Sequence, residues 1–307
     1  MIKLRLHQQD ALDVMQLQSK GQVIVPTGGG KTMCMIEDAK KQFTKNSVSK
    51  TIVVVAPRIL LAHQLCEDFL ELIDNVDVLH VHSGETHYYS TTKTKEIEEY
   101  YHNSVKNLLI FTTYHSLHKI SESLDIEVDT IYFDEAHNSV QKNFVEATEY
   151  FSMYANRCYF FTATPKHSKT PFKIGMNDED IYGKVIVNVP APKLVDEGVI
   201  LPPKVKIRKI DVVDDSRFKH EHDCDHVVST IDDISTDKVL VCARSTKQIV
   251  NLVSQTDFCC KLNDRGYSWM YITAKTGAVV DGKKVDRESF FNTLNEWGKD
   301  DTKKFVV

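Results

Sequence analysis

Short apolar runs recur through residues 1–188, and polar or amphipathic stretches separate them. Each run is rich in Val, Ile, Phe or Tyr and is nearly continuous rather than alternating, which is typical of strands buried on both faces of a parallel sheet. The segments 32–43 and 60–73 between them have the spacing of helices. Strands that alternate with helices predict a doubly wound α/β domain, in which ligands bind at the carboxyl ends of the strands. The runs are Val23–Val25, Thr51–Ala56, Leu108–Thr112, Thr130–Phe133 and Arg157–Thr162.

Proline usage divides the chain. Four of the eight prolines fall within residues 189–203, which we interpret as a linker between a first domain, 1–188, and a second, 204–307. The run V-L-V-C-A-R-S-T-K-Q at 239–248 has a strand-turn-helix pattern that opens a second α/β unit. The sequence stops at T-K-K-F-V-V, inside another strand-like run, so we expect the native chain to continue past Val307.

Composition excludes several classes of protein. No apolar run approaches the ~20 residues that a membrane span requires, and the N-terminus has no secretory signal pattern. The seven cysteines are scattered and odd in number, which favours reduced thiols and a cytoplasmic setting, in a bacterial cell or a phage- or virus-infected host. The formal net charge of −5 gives no global case for nucleic-acid binding, although a basic groove can lie on an acidic protein.

Residues 22–32, Q-V-I-V-P-T-G-G-G-K-T, join a strand-like run to three glycines, a lysine and a threonine. The strict phosphate-loop pattern requires glycine where Val25 stands. A strand-loop-helix of this composition exposes consecutive backbone N–H groups to phosphate, with Lys31 in reach of the outer phosphates and Thr32 of Mg²⁺. The alternative is a flexible turn that carries a surface lysine.

Residues 131–137, I-Y-F-D-E-A-H, place two adjacent carboxylates after an apolar strand. Hydrolysis of a nucleotide requires a carboxylate in the Mg²⁺ shell and a group that orients the attacking water, and Asp134 and Glu135 suit these roles. The alternative is an ordinary helix N-terminus with acidic residues in its first turn.

Six stretches follow one another in a fixed order, and together they resemble the Q-motif and motifs I, Ia, Ib, II and III of superfamily 2 helicases and translocases. They are L-R-L-H-Q-Q-D-A-L (4–12), P-T-G-G-G-K-T (26–32), A-P-R-I-L-L-A-H-Q (56–64), F-T-T-Y-H-S-L (111–117), D-E-A-H (134–137) and F-T-A-T-P (161–165). The resemblance implies a RecA-like P-loop NTPase domain with a parallel sheet, followed by a linker and a second, truncated RecA-like domain. It also implies ATP and Mg²⁺ as ligands, hydrolysis in the cleft between the two domains, and nucleic acid as partner.

The resemblance further implies roles for individual residues. Gln8 would read adenine, and His137 would couple the two domains. The residues implied to act in catalysis are Lys31, Asp134, Glu135 and His137. The forms of motifs I and III resemble those of restriction-enzyme motor subunits and of phage or bacterial repair helicases, which favours DNA over RNA. The remaining implied contacts are to nucleotide, through Thr27, Gly28, Gly29, Gly30, Lys31 and Thr32; to Mg²⁺, through Thr32 and Asp134; and to nucleic acid, through Arg58, Thr112 and Thr113.

Motifs V and VI, the latter with the arginine finger of the family, have no counterpart in this sequence. We therefore expect weak ATP hydrolysis from the 307-residue chain, with the missing motifs supplied by a longer native chain or by a partner subunit. A different class remains open, namely an ATP-gated nucleic-acid-binding module without motor activity. A small-molecule kinase is disfavoured by the D-E-A-H and T-A-T-P pair.

Three weaker signals remain. The segment 219–226, K-H-E-H-D-C-D-H, alternates potential zinc ligands, but strict alternation indicates one strand face or a polar loop rather than a closed metal site. The segment 92–103 favours a solvated helix, and its two tyrosines could stack on bases. The segment 78–84 predicts a strand and a turn, with Ser83 and Gly84 as weak candidates for the nucleic-acid path.

Overall fold

The computed structural model describes residues 3–44, 48–123, 126–170, 172–202, 204–210, 219–274 and 276–307. The chain divides into two compact units, Met1–Lys204 and Val205–Val307, and each is described by itself. None of the helices in these described ranges is both long enough and apolar enough to cross a membrane.

The first unit is built on a seven-stranded, all-parallel sheet with the strand order β3-β4-β2-β5-β6-β1-β7. Its strands are β1 (Lys20–Ile24), β2 (Thr51–Ala56), β3 (Val76–Val81), β4 (Asn107–Thr113), β5 (Thr130–Phe133), β6 (Arg157–Thr162) and β7 (Val185–Asn188). Its helices are α1 (Leu6–Leu17), α2 (Lys31–Thr44), α3 (Ile59–Leu70), α4 (Thr94–Asn103), α5 (Leu117–Ser121), α6 (Lys142–Tyr154), α7 (Glu179–Tyr182) and α8 (Ala191–Asp196), with a 3-10 turn at Ala136–Asn138.

Alternate residues of β2 show how the sheet separates two cores. Ile52 and Val54 pack into one apolar cluster together with Phe69 of α3, whereas Val53 and Val55 pack into the other. Every residue of β2 is buried, because helices cover both faces of the sheet. This arrangement confirms the predicted RecA-like α/β fold class. The predicted apolar runs at 51–56, 130–133 and 157–162 coincide with β2, β5 and β6, and the helical segment 92–103 contains α4.

The proline-rich stretch 189–203 contains a helix. Val189 and Leu194 are buried in the core of the first unit, and α8 begins directly after Pro190, where proline suits a helix N-terminus. The Leu194 side chain reaches the glycine loop, because a Cβ built on Gly29 would lie 3.0 Å from Leu194 Cδ1. Part of this proline-rich stretch therefore packs with the first unit and supports the loop.

The second unit has a five-stranded sheet with the order β11-β10-β9-β12-β8, in which β8, β12 and β9 are parallel and β9, β10 and β11 form an antiparallel meander. Its elements are α9 (Lys219–Ile234), β8 (Lys238–Val239), α10 (Thr246–Gln255), α11 (Phe258–Asp264), β9 (Ser268–Thr273), β10 (Gly277–Val280), β11 (Lys283–Val285), α12 (Arg287–Lys299) and β12 (Phe305–Val306).

The strand or loop predicted for 219–226 is wrong, because this segment opens α9. Cys224, Val228 and Ile231 are buried along one face at spacings of four and three residues. Burial of this helical stripe outweighs the two-residue alternation of the histidines.

Candidate functional site

The glycine loop connects β1 to α2, and its backbone requires glycine at two positions. Gly28 has φ +80° and Gly30 has φ +86°, a region that side chains with a Cβ rarely adopt. A Cβ on Gly30 would also overlap the Gln8 amide nitrogen. The loop leads directly into Lys31, the first residue of α2, so a helix N-terminus faces the loop.

Val25, which stands where the strict pattern has glycine, packs against the glycine loop. Its side chain is fully buried, and a Cβ built on Gly29 would lie 2.6 Å from Val25 Cγ1. The valine thus fills space that a side chain at Gly29 would otherwise need. With valine at position 25, glycine is therefore sterically required at position 29.

Two side chains of α1 hold the loop. His7 Nε2 lies 2.8 Å from the Gly29 carbonyl oxygen, and Gln8 Nε2 donates to the Gly30 carbonyl oxygen at 3.4 Å. The Gln8 Oε1 atom accepts from the Arg5 N–H at 2.9 Å, so the amide also caps its own helix. Sequence reasoning selected Gln8 and missed His7, although His7 is its direct neighbour in the same motif. The adenine-reading role of Gln8 stays a prediction.

β5 delivers Asp134 and Glu135 beside this loop. Glu135 has φ +45°, an unfavourable conformation for a residue with a side chain that typically costs about 1–3 kcal/mol. The turn is fixed by hydrogen bonds, since Tyr114 Oη donates to the Asp134 carbonyl at 2.8 Å and Asn138 Nδ2 donates to the Glu135 carbonyl at 2.9 Å. The strained turn aims the Glu135 carboxylate at the loop.

A continuous chain of polar contacts joins the three central motifs. Lys31 Nζ lies 3.5 Å from Glu135 Oε1, and Glu135 Oε2 lies 3.4 Å from His137 Nδ1. The same His137 nitrogen lies 3.0 Å from Thr162 Oγ1, which accepts from the Thr164 N–H at 3.1 Å. Polar side-chain contacts therefore connect the glycine loop, D-E-A-H and T-A-T-P. We call this set, Lys31, Glu135, His137 and Thr162, the polar relay.

Asp134 is the most perturbed acid of the site. Burial raises the pKa of its carboxyl to about 6, the negative charge of Glu135 adds to this, and the ammonium of Lys31 opposes it. Carboxylate and hydroxyl oxygens are hard donors of the kind that Mg²⁺ prefers. Asp134 and Thr32 could supply such donors, and their role as Mg²⁺ ligands stays a prediction.

The residues predicted to contact nucleic acid divide into two groups. Arg58 is exposed at the N-cap of α3 and is available to a ligand. Thr112 is fully buried and its hydroxyl donates to the Val81 carbonyl at 2.8 Å, while Thr113 is only 4% exposed. Both threonine side chains are buried in β4, whereas Arg58 is exposed, and the predicted contacts of these residues with nucleic acid stay predictions.

The candidate zinc ligands of α9 do not converge. His222 Nε2 and His226 Nε2 lie 3.1 Å apart one helical turn from each other, but His220 Nε2 faces Asn251 Nδ2 at 3.2 Å. Cys224 is buried toward Asp257. Within the described ranges, these four residues are not among the groups of three or more side chains whose ligand atoms cluster.

Comparison with known proteins identifies the family of the chain. The family profile described as "Type III restriction enzyme, res subunit" matches residues 1–167, more than half of the chain. A search of curated proteins finds no match.

Two solved structures share the fold. The ATP-dependent Type ISP restriction-modification enzyme LlaBIII bound to DNA is 18% identical with a TM-score of 0.77, and the match covers 100% of this chain and 24% of that one. A nuclease-deletion mutant of the Type ISP enzyme LlaGI in complex with a DNA substrate mimic is 21% identical with a TM-score of 0.56, covering 76% of this chain and 23% of that one. The chain thus spans about a quarter of the length of these enzymes. It is a superfamily 2 helicase-like protein and belongs to the family of the Type III restriction enzyme res subunit.

Proposed function

We propose that this chain is the ATP-binding part of a superfamily 2 translocase or helicase that acts on nucleic acid, with DNA as the favoured substrate. The observation that carries the proposal is the polar relay, because it connects the residue that would hold phosphate to the motif that responds to nucleic acid in this superfamily. A binding loop without such a connection would support nucleotide binding alone.

The relay suggests how nucleotide is sensed. The Lys31 ammonium lies 3.5 Å from the Glu135 carboxylate, and the Lys31 side chain is only 10% exposed. A terminal phosphate is a stronger competitor for that ammonium, so its arrival would release the Glu135 carboxylate. Glu135 would then orient a water molecule for attack, while its contact with His137 changes. Mg²⁺, when bound by Thr32 and Asp134, would neutralise charge that develops on the phosphates.

Coupling would pass from Glu135 through His137 to Thr162. His137 Nδ1 contacts both partners, so it cannot keep the same hydrogen bonds when Glu135 moves. Thr162 also holds the T-A-T-P backbone through the Thr164 N–H. Hydrolysis and strand binding would thereby affect each other. Arg58 is the proposed contact to the phosphate backbone.

Turnover by this chain alone would be weak. Motif VI, with its arginine finger, has no counterpart in the sequence, and such an arginine contributes a factor of about 10³–10⁵ to hydrolysis in related enzymes. A longer native chain or a partner subunit would supply this arginine. The proposed location of the protein is the cytoplasm. The second candidate, an ATP-gated binding module, rests on the same missing motif.

ATPase assays with and without single-stranded DNA, double-stranded DNA and RNA test the proposal. We expect slow hydrolysis that DNA stimulates, and we expect His137→Ala to bind Mg·ATP normally but to lose the stimulation. His118→Ala, an exposed histidine on α5, is the matched control and should keep it. Stimulation by RNA alone would refute the DNA assignment. Nucleotide-dependent DNA binding without any hydrolysis would favour the binding module.

A further inference from the structure

Three histidines outside the nucleotide site lie together at the edge of the first unit. His63 is on α3, while His80 lies on β3 and His82 directly follows that strand. The ring centroids are 5.0–5.4 Å apart, and one nitrogen from each ring lies within 4.8 Å of the others. In the part of the chain that the structure describes, this is the one cluster of three or more His, Cys, Asp or Glu side chains with that property.

The cluster is buried, and two of its nitrogens lack partners. His80 is fully buried and His82 is 2% exposed, while His63 is half-buried. The Nε2 atoms of His63 and of His80 have no hydrogen-bond partner among the described residues. Buried polar atoms are nearly always paired, so unpartnered nitrogens on two adjacent rings call for an explanation such as an ion.

An ordinary hydrogen-bonded histidine cluster accounts for only part of these contacts. His80 Nδ1 lies 2.9 Å from His82 Nε2, and the Gly84 N–H donates to His82 Nδ1 at 3.2 Å. Those two contacts leave the Nε2 atoms of His63 and His80 unexplained. An unpaired imidazole nitrogen in a cluster of rings is a donor that suits a metal ion.

We propose that His63, His80 and His82 bind one divalent transition-metal ion of the zinc class, through one ring nitrogen each, with a fourth position open to water. Zn–N distances of about 2.0–2.1 Å in a tetrahedral site correspond to ligand atoms about 3.3–3.4 Å apart. The three nitrogens lie within 4.8 Å of one another, so rotation of the rings toward a shared ion would bring them to that spacing. Imidazole ligands select Zn²⁺, Cu²⁺ or Ni²⁺ over Mg²⁺, so Mg²⁺, which the proposed nucleotide site would use, would not compete for this cluster.

The ion would be structural and separate from the nucleotide site. β3 is the edge strand and lies five strand positions from β1 in the sheet order, which is about 24 Å at the usual spacing of strands. The ion would tie β3 to α3, and α3 begins directly after Arg58. Metal binding would therefore fix the helix that presents the proposed nucleic-acid contact.

Metal titration of the 307-residue chain, after dialysis against a chelator, tests this site. We expect one equivalent of Co²⁺ to bind with the visible absorption of a tetrahedral complex and to be displaced by Zn²⁺. At a Zn²⁺ concentration ~100 times Kd, Tm should rise by about 5–10 °C, since the ion binds the folded chain only.

Matched variants decide between this cluster and other histidines. His63→Ala, at a half-buried position, should lose both the absorption and the Tm shift, and His63→Asn serves if the alanine variant does not fold. His118→Ala and the double variant His222→Ala/His226→Ala should retain both signals. The proposal is overturned if no stoichiometric ion binds, if the His63 variants bind it unchanged, or if the α9 double variant abolishes binding.

Discussion

A buried ion pair anchors the helix that begins at Lys31, and its removal gives a quantitative prediction. Asp38 of α2 is fully buried, and Arg157 of β6 donates to its two carboxylate oxygens at 2.7 and 2.9 Å. Tyr132 and Gln16 donate to the same carboxylate at 2.6 and 2.7 Å. The pair therefore fixes α2 against the strand that ends at Thr162.

Arg157→Met should destabilise the first unit by about 3 kcal/mol. Breaking a buried pair usually costs about 3–5 kcal/mol because an uncompensated charge remains, and the lower end applies here because two neutral donors stay in place. For a unit of about 200 residues this corresponds to a fall in Tm of about 6–12 °C. Far-UV circular dichroism is the suitable probe, since both tryptophans, Trp269 and Trp297, lie in the second unit.

Two controls accompany this variant. Lys119→Met breaks the exposed pair with Glu122 and should change stability by less than about 0.5 kcal/mol. The double variant Asp38→Asn/Arg157→Met removes the buried charge and should recover more than half of the loss. A shift for Arg157→Met no larger than that for Lys119→Met would refute the argument that α2 is held by this pair.

Three further predictions concern the loop, the nucleic-acid contact and the thiols. Gly29→Ala should lower the affinity for Mg·ATP measured by calorimetry, because Val25 Cγ1 occupies the space that the new methyl group needs. The double variant Val25→Ala/Gly29→Ala should recover part of that affinity. An equal loss of affinity in the single and the double variant would contradict this explanation. Arg58→Ala should weaken DNA binding and reduce its salt slope by about 1, whereas Thr112→Val should leave affinity unchanged and lower stability by about 1 kcal/mol. Native protein should react rapidly with a thiol reagent at Cys242 and Cys260, which are exposed. Cys34 and Cys66 should react slowly, because burial raises the pKa of both thiols to about 12. Rapid labelling of either buried thiol in the native protein would contradict this prediction.

The sequence predicts the first unit well because its information is local. A continuous apolar run such as Thr51–Ala56 specifies a buried parallel strand, and the strand ends then bring the loop and D-E-A-H together. The direction in which a side chain points is harder to predict from the sequence. Thr112 and Thr113 carry a motif pattern, yet their places within a covered strand bury both side chains, which only the three-dimensional neighbours reveal.

Contacts between distant segments were beyond sequence reasoning. His7 is 22 residues from the Gly29 carbonyl that it contacts, and His63 is 17 positions before His80 in the sequence. No spacing rule joins such residues, because the sheet order brings them together. In α9, the opposite error occurred, since alternating histidines suggested a strand while Cys224 and Val228 specified the buried face of a helix.

The most direct test of the account is equilibrium binding of a fluorescent ATP analogue with Mg²⁺ to the wild-type chain and to Lys31→Ala. Loss of a charge-assisted contact to phosphate worth about 1.5–3 kcal/mol predicts affinity weaker by about 10- to 100-fold. Lys119→Ala, at a partly exposed position on α5, should bind as the wild type does. Equal affinity of wild type and Lys31→Ala would contradict the assignment of this glycine loop as the nucleotide site.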